Sequence, residues 1–270
     1  MKVAAIQMRC SGDPFDDRAL AAALVAAAAD DGAELIVLPE LFASLARSQT
    51  MRERAEPLHG PTLAWAGRLA AEHCTAILAG SFVEVEGAHL FNTSCLVDAT
   101  GALRAAYRKI HLFDVEVDGA VSRESDTFSA GDSVVVAPYG DDAPSVGMTI
   151  CYDLRFGGLF DALGRAGASI ITVPSAFTAS TGRDHWELLV RARAVEQQAV
   201  VIAAAQWGTS PDGIERHGHA MVVDGWGRIL GEAEAEGDAV VVVEIDLAAQ
   251  DEIRRRLPAL QHRRPGAYSD

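Results

Sequence analysis

Three residues able to do chemistry stand where apolar runs end. Cys151 follows Ser145-Val-Gly-Met-Thr-Ile and precedes Tyr152-Asp-Leu-Arg-Phe-Gly-Gly, which reads as a turn entering a helix. Glu40 follows Leu35-Ile-Val-Leu and Pro39, a proline that stops a buried strand and leaves the glutamate projecting from its carboxyl edge. Lys109 closes the strand-like Ala105-Ala-Tyr-Arg and is again followed by a break. In open α/β sheets the carboxyl edge is where ligands bind. A lone cysteine is more often a small core hydrophobe than a nucleophile, and it is the company of a carboxylate and an ammonium that changes the reading. Together the three suit attack on an amide-like carbonyl. Cys151 would be the nucleophile, Glu40 the general base and then the acid for the departing amine, and Lys109 would face the oxyanion with the backbone N–H of Tyr152 as a second donor. A helix N-terminus and a cationic neighbour would both favour the thiolate at Cys151.

Leu38-Pro-Glu40, Arg108-Lys-Ile-His-Leu-Phe-Asp114 and Ile150-Cys-Tyr-Asp-Leu-Arg-Phe156 resemble, in order and spacing, the three signature blocks of the nitrilase superfamily of carbon–nitrogen hydrolases. Downstream, Pro174-Ser-Ala-Phe177, Thr181-Gly-Arg-Asp-His-Trp186 and Gln261-His-Arg-Arg-Pro265 resemble the Nit branch, which holds deaminated glutathione amidases and omega-amidases. The resemblance implies that Glu40, Lys109 and Cys151 are catalytic and that a second glutamate falls on Glu124, with Glu116 also available. It further implies substrate contacts from Tyr152, Arg155, Phe177 and Thr181. An arginine near the thiol suits a substrate with a carboxylate, because guanidinium binds carboxylates in bidentate fashion. Where omega-amidases of this branch often place a tyrosine one turn after the glutamate, this chain has Ser44. The implied reaction is hydrolysis of a small carboxylate-bearing amide through a thioester with release of ammonia. The deaminated-glutathione type comes first, omega-amidase and N-carbamoyl hydrolase next. From other classes, a silent binding protein on the same fold is opposed by the intact Glu40, Lys109 and Cys151, and a lipid acyltransferase by the lack of an appended domain or membrane segment. No cofactor is called for.

The chain has 270 residues, 49% hydrophobic and 23% charged, the composition of an ordinary globular domain with ample core, and no linker or repeat divides it. One domain over 1–270 is expected. A net charge of −15 argues against nucleic acid. Basic residues concentrate only at Arg254-Arg-Arg256 and Arg263-Arg264; they read as helix-capping charges or as partners for acidic residues across a subunit interface. The resemblance favours a homodimer or higher oligomer with the tail, about 256–270, contributing. No apolar run reaches about 18 residues, and Met1-Lys-Val-Ala-Ala-Ile-Gln7 is a strand pattern rather than a signal peptide, so neither membrane nor export is expected and the cytoplasm is the expected location. Cys10, Cys74, Cys95 and Cys151 lack disulfide or zinc spacing, and His217-Gly-His219 lacks a third ligand, so no metal site is expected.

Strands are expected near 3–8, 34–38, 76–83, 90–97, 103–108, 145–150, 169–173, 199–205, 219–223 and 239–245. Helices are expected near 15–31, 61–73, 153–166, 182–198 and 246–255. This alternation indicates layered α/β packing. The resemblance sharpens it to a four-layer α-β-β-α sandwich.

Overall fold

A computed structural model describes residues 1–117 and 120–267. Its frame is two sheets packed face to face with helices on both outer surfaces. The first sheet is built on the parallel strands Lys2–Met8, Leu35–Val37 and Ala76–Leu78. Antiparallel strands His89–Val97, Phe82–Glu86 and Leu103–Arg108 extend it on one side, and Ala239–Glu244 pairs with the other edge of the first strand. The second sheet has six strands, and its parallel centre is Ser145–Met148, Ile170–Thr172 and Val200–Ala203.

Strand periodicity assigns the layers. Successive side chains point to opposite faces, so Val3, Ala5, Leu35, Val37, Ala76 and Leu78 join the core shared with the second sheet. Ala4, Ile6, Met8, Ile36 and Ile77 face outward beneath helices Pro14–Asp30 and Pro61–His73. The first of these helices is Ala-rich, with Pro14 in its first turn and the Asp13 carboxylate accepting from the N–H groups of Phe15 and Asp16 at 2.8 and 3.4 Å. On the far side, helices Gly157–Arg165 and Ala179–Gln197 bury Phe160, Leu163, Trp186 and Val190 on the second sheet. The α-β-β-α sandwich expected from the resemblance is therefore what the chain adopts. Strands buried on both faces explain why their sequences read as unbroken apolar runs.

Several expected elements divide where the path must turn. The expected strand 76–83 is two, Ala76–Leu78 and Phe82–Glu86, split by Gly80 at φ +46°. The expected strand 199–205 ends at Ala203; the chain then leaves the second sheet and enters the first as Ala205–Thr209, parallel to the end of Lys2–Met8. The helix expected over 153–166 begins as a 3-10 turn, Cys151–Arg155, and becomes α-helical only at Gly157, because Phe156 has non-helical angles (φ −105°, ψ 89°). Periodicity missed the helix Ser48–Glu53, the hairpin Asp114–Val117 with Ala120–Arg123, and the strands Val136–Pro138, Glu215–His217 and Ile229–Glu232, all too short to show a period.

The C-terminal arginines serve the same chain more than was expected. Arg254 donates to the carbonyls of Gln198 and Ala168, each at 3.0 Å, and Arg263 pairs with Asp161 at 2.9 Å. Within the segment expected at an interface, 268–270 lie outside the described residues. Among the described residues no helix is long and apolar enough to cross a membrane.

Gly80 bears directly on the site. A Cβ there would fall inside contact distance of the Pro39 carbonyl, one residue before Glu40, and its positive φ disfavours any L side chain. Gly80→Ala is expected to cost about 2 kcal/mol or more, read as a lower urea midpoint, because neither the backbone clash nor the strain can relax locally.

Candidate active site

Glu40, Lys109 and Cys151 leave three different strands and converge. Glu40 follows the strand Leu35–Val37; the next residue, Leu41, has φ +49° and donates its N–H to Ser81 Oγ at 2.9 Å, turning the chain sharply. The Glu40 carbonyl accepts from Gln206 Nε2 at 2.8 Å, so the residue is held from the first strand's neighbour as well. Lys109 follows Leu103–Arg108, its N–H donating to the Asn92 carbonyl at 2.9 Å. Cys151 follows Ser145–Met148 with φ +48°, and its N–H donates to the Pro174 carbonyl at 2.9 Å. A non-glycine residue in this left-handed region is strained and persists only where its surroundings hold it.

Lys109 Nζ sits between two carboxylates. It donates to Glu40 Oε1 at 2.8 Å and to Glu124 Oε1 and Oε2 at 3.0 and 2.8 Å. Asn92 Nδ2 bridges the same pair, at 2.9 Å from Glu40 Oε1 and 3.2 Å from Glu124 Oε1. The remaining Glu40 oxygen accepts from the Ala176 N–H at 2.9 Å, and Glu124 Oε2 from the Phe113 N–H at 2.7 Å. Of the two candidates for the second glutamate, the geometry brings Glu124 to the lysine. Glu116 lies exposed on the hairpin.

Burial governs the charges. Glu40, Lys109 and Cys151 are 4%, 2% and 8% exposed. Burial alone would push the Glu40 carboxyl up, but the Lys109 ammonium and the hydrogen bonds to its oxygens outweigh this and hold it below its usual range. Burial alone would push Lys109 down, but the Glu124 and Glu40 charges hold it well above. The Cys151 thiol goes up, first by burial and then by the Glu40 charge, with Lys109 pulling only partly against them. This corrects the expectation of a stabilised thiolate. The balance favours the protonated thiol beside a carboxylate held low and an ammonium held high.

The thiol opens on a cavity of about 330 Å³. Tyr152, Phe177 and Thr181 line it, with Leu45, Met51, Phe113 and Phe128 adding apolar wall. Arg155 is not among the lining residues; its guanidinium lies over the Phe177 and Tyr152 rings at 5.3 and 5.9 Å and meets His185 Nδ1 at 3.2 Å. Three arginines missed from sequence do line the cavity: Arg216, tied to Asp212 and the Ala176 carbonyl, and Arg47 and Arg123 at the exposed mouth. Asn92 was also missed. Isolated polar residues in strands and loops carry no pattern, and only the fold brings them to one place. Ser44 is buried and is not part of the wall. His219 is paired with Glu232 at 2.8 Å, and burial, then the neighbouring His219 and Arg183, lower His217 to about 4.

The chain as a whole is similar to known proteins. The carbon-nitrogen hydrolase profile matches residues 2–255. A deaminated glutathione amidase from Synechocystis is 39% identical over 264 residues, 96% of this chain and 97% of the relative. The crystal structure of Saccharomyces cerevisiae Nit3, described as a member of branch 10 of the nitrilase superfamily, superposes with a TM-score of 0.88 at 29% identity, covering 98% of this chain and 96% of that one. An amidase from Nesterenkonia sp. AN1, captured with acrylamide added at its active-site cysteine, superposes at 0.82 with 25% identity over 99% and 98% of the two chains. A profile spanning nearly the whole chain, joined to near-complete relatives of the same kind, shows that this protein belongs to the carbon–nitrogen hydrolase family.

Proposed function

We propose that the chain is a thiol amidase that releases ammonia from a small carboxylate-bearing amide, of the kind named by its deaminated glutathione amidase relative. The observation that carries this is the meeting of Glu40, Lys109 and Cys151 on the wall of one cavity, with Lys109 Nζ shared between Glu40 and Glu124 at 2.8 Å each. Glu40 takes the thiol proton as Cys151 Sγ attacks the amide carbon. Lys109 Nζ and the Tyr152 N–H receive the oxyanion, and Glu40 returns the proton to the departing amine. Ammonia leaves, Glu40 deprotonates water, and water cleaves the thioester to give the acid and the free thiol. Glu124 and Asn92 hold the lysine and the base in register throughout. Phe177 and Thr181 bound the substrate.

Charge on the wall supports an anionic substrate with its carboxylate away from the scissile amide. One lysine between two carboxylates leaves the floor with one negative charge in excess, and Arg216 with Asp212 adds nothing. Arg47 and Arg123 stand at the exposed mouth, Arg123 across the hairpin from Asp114. An anion is therefore repelled at the floor and attracted at the rim.

The same reading takes 1–270 as one domain in a cytoplasmic homodimer, with the tail near the partner. Its support is the single profile match, the four unpaired cysteines, and the exposed apolar face of Leu188, Val195 and Trp226 on the outer surface.

The test is ammonia release from a panel of deaminated glutathione, 2-oxoglutaramate, 2-oxosuccinamate, an N-carbamoyl amino acid and a nitrile, each beside Cys151→Ala. Release from deaminated glutathione should dominate and vanish in the variant, whose melting temperature should change little; an active Cys151→Ala would remove the nucleophile assignment. Glu40→Gln separates base from nucleophile: turnover should fall by roughly 10² to 10⁴. Iodoacetamide should still label Cys151, and its labelling profile should move to lower pH, because the neighbouring negative charge that raises the thiol is gone while Lys109 remains. A profile moved to higher pH would contradict that electrostatic account. Arg47→Ala with Arg123→Ala should raise KM for the carboxylate substrate roughly 3- to 10-fold, less so at high salt, and leave a neutral amide unaffected. Equal effects on both substrates would sink the rim assignment.

A further inference from the structure

One fully buried carboxylate beside the site has no part in this chemistry. Asp153 accepts from the Ile150 N–H at 2.9 Å and the Tyr107 hydroxyl at 2.7 Å on Oδ2. On Oδ1 it accepts from the His111 N–H at 3.1 Å and from His111 Nδ1 at 2.7 Å, which places the ring proton on Nδ1. The Tyr107 hydroxyl in turn accepts from the Ile110 N–H at 3.3 Å. A charge this deep requires such donors, and all of them come from just two stretches of chain. Residues 107–111 bracket Lys109, and residues 150–153 bracket Cys151. Aromatic packing closes the same seam: the His111 ring stacks on Phe156 at 3.7 Å and 6°, and Phe156 meets Tyr152 edge-on at 5.2 Å.

We propose that Asp153 is a positioning residue that fixes the strained Cys151 turn relative to Lys109, with Tyr107 and His111 as its arms. It touches no reacting atom. Lys109's head group is held by Glu40 and Glu124, contacts that do not reach the cysteine turn; among the described residues the side-chain hydrogen bonds that tie residues 107–111 directly to residues 150–153 run through Asp153. The inference rests on the reading of Cys151 as the nucleophile. Its consequence is specific: loosening the clamp misplaces thiol against oxyanion donor while the rim arginines, Phe177 and Thr181, borne on other segments, keep their hold on the substrate. The rate should fall and the apparent affinity should stay.

The experiment uses the full chain carrying Cys74→Ser, which removes the exposed thiol. Asp153→Asn and Tyr107→Phe are made in it, and kcat, KM, the melting temperature and the rate of Cys151 labelling by iodoacetamide are measured. Asp153→Asn should lower kcat about 10- to 100-fold with KM within about two-fold, Tyr107→Phe should lower it by less, and the labelling rate should shift in both. Asp153→Glu should fail to rescue, since the longer side chain cannot meet all four donors. A lowered melting temperature with unchanged kcat and unchanged labelling would reduce Asp153 to a structural carboxylate and overturn the proposal. If Asp153→Asn does not fold, Tyr107→Phe decides alone by the same criterion. Cys151→Ala in the same background keeps the two readings apart: turnover there defeats the nucleophile assignment, whereas a dead Cys151→Ala beside a fully active Asp153→Asn defeats only the clamp.

Discussion

Lys109 carries its charge into a site that is nearly closed to water, and the two carboxylates that keep it there organise everything around them. Moving an ammonium from water into a protein interior costs several kcal/mol, and the cost is met only when geometry and hydrogen bonding are close to ideal. Glu40 and Glu124 supply that geometry at 2.8 Å, and Asn92 holds both of them from the neighbouring strand. Removing the lysine would leave two buried carboxylates without their cation, so stability and chemistry draw on the same contacts.

This arrangement bears on how the thiol is used. Many reactive cysteines are stored as thiolates beside a cation. Here the cation is already shared by two anions, and the thiol feels burial and the Glu40 charge more than the ammonium. A stored thiolate would add a second excess negative charge to the floor of a small cavity. In the proposed mechanism the thiol keeps its proton until an amide arrives, and Glu40, held below its usual range by its neighbours, takes that proton and returns it to the leaving amine.

The field of the whole molecule adds a second level. A chain with net charge −15 would disfavour an anion at long range, yet two arginines stand at the mouth of this cavity. Their guanidinium groups are exposed and screened by salt, so their charge acts near the mouth and adds little to fold stability. Arg155, which the resemblance puts against the substrate, lies over the Phe177 and Tyr152 rings and is not among the lining residues.

By itself the sequence determined which strand ends carry the carboxylate, the ammonium and the thiol that meet in the candidate site. An apolar run that stops at a proline, a charge or a tight turn is a local pattern, and local patterns survive without knowledge of the fold; Glu40, Lys109 and Cys151 were legible for that reason, as were the long helices and the buried parallel strands. Tertiary structure alone decided the rest. It chose Glu124 over Glu116, divided one apolar run between two sheets at Ala204, put Arg47 and Arg123 rather than Arg155 on the cavity wall, and reversed the expected direction of the thiol's shift. Each of these depends on contacts between residues far apart in the chain, or on the burial those contacts produce. Desolvation and Coulomb energy act through space, so no spacing along the chain could have given their sign.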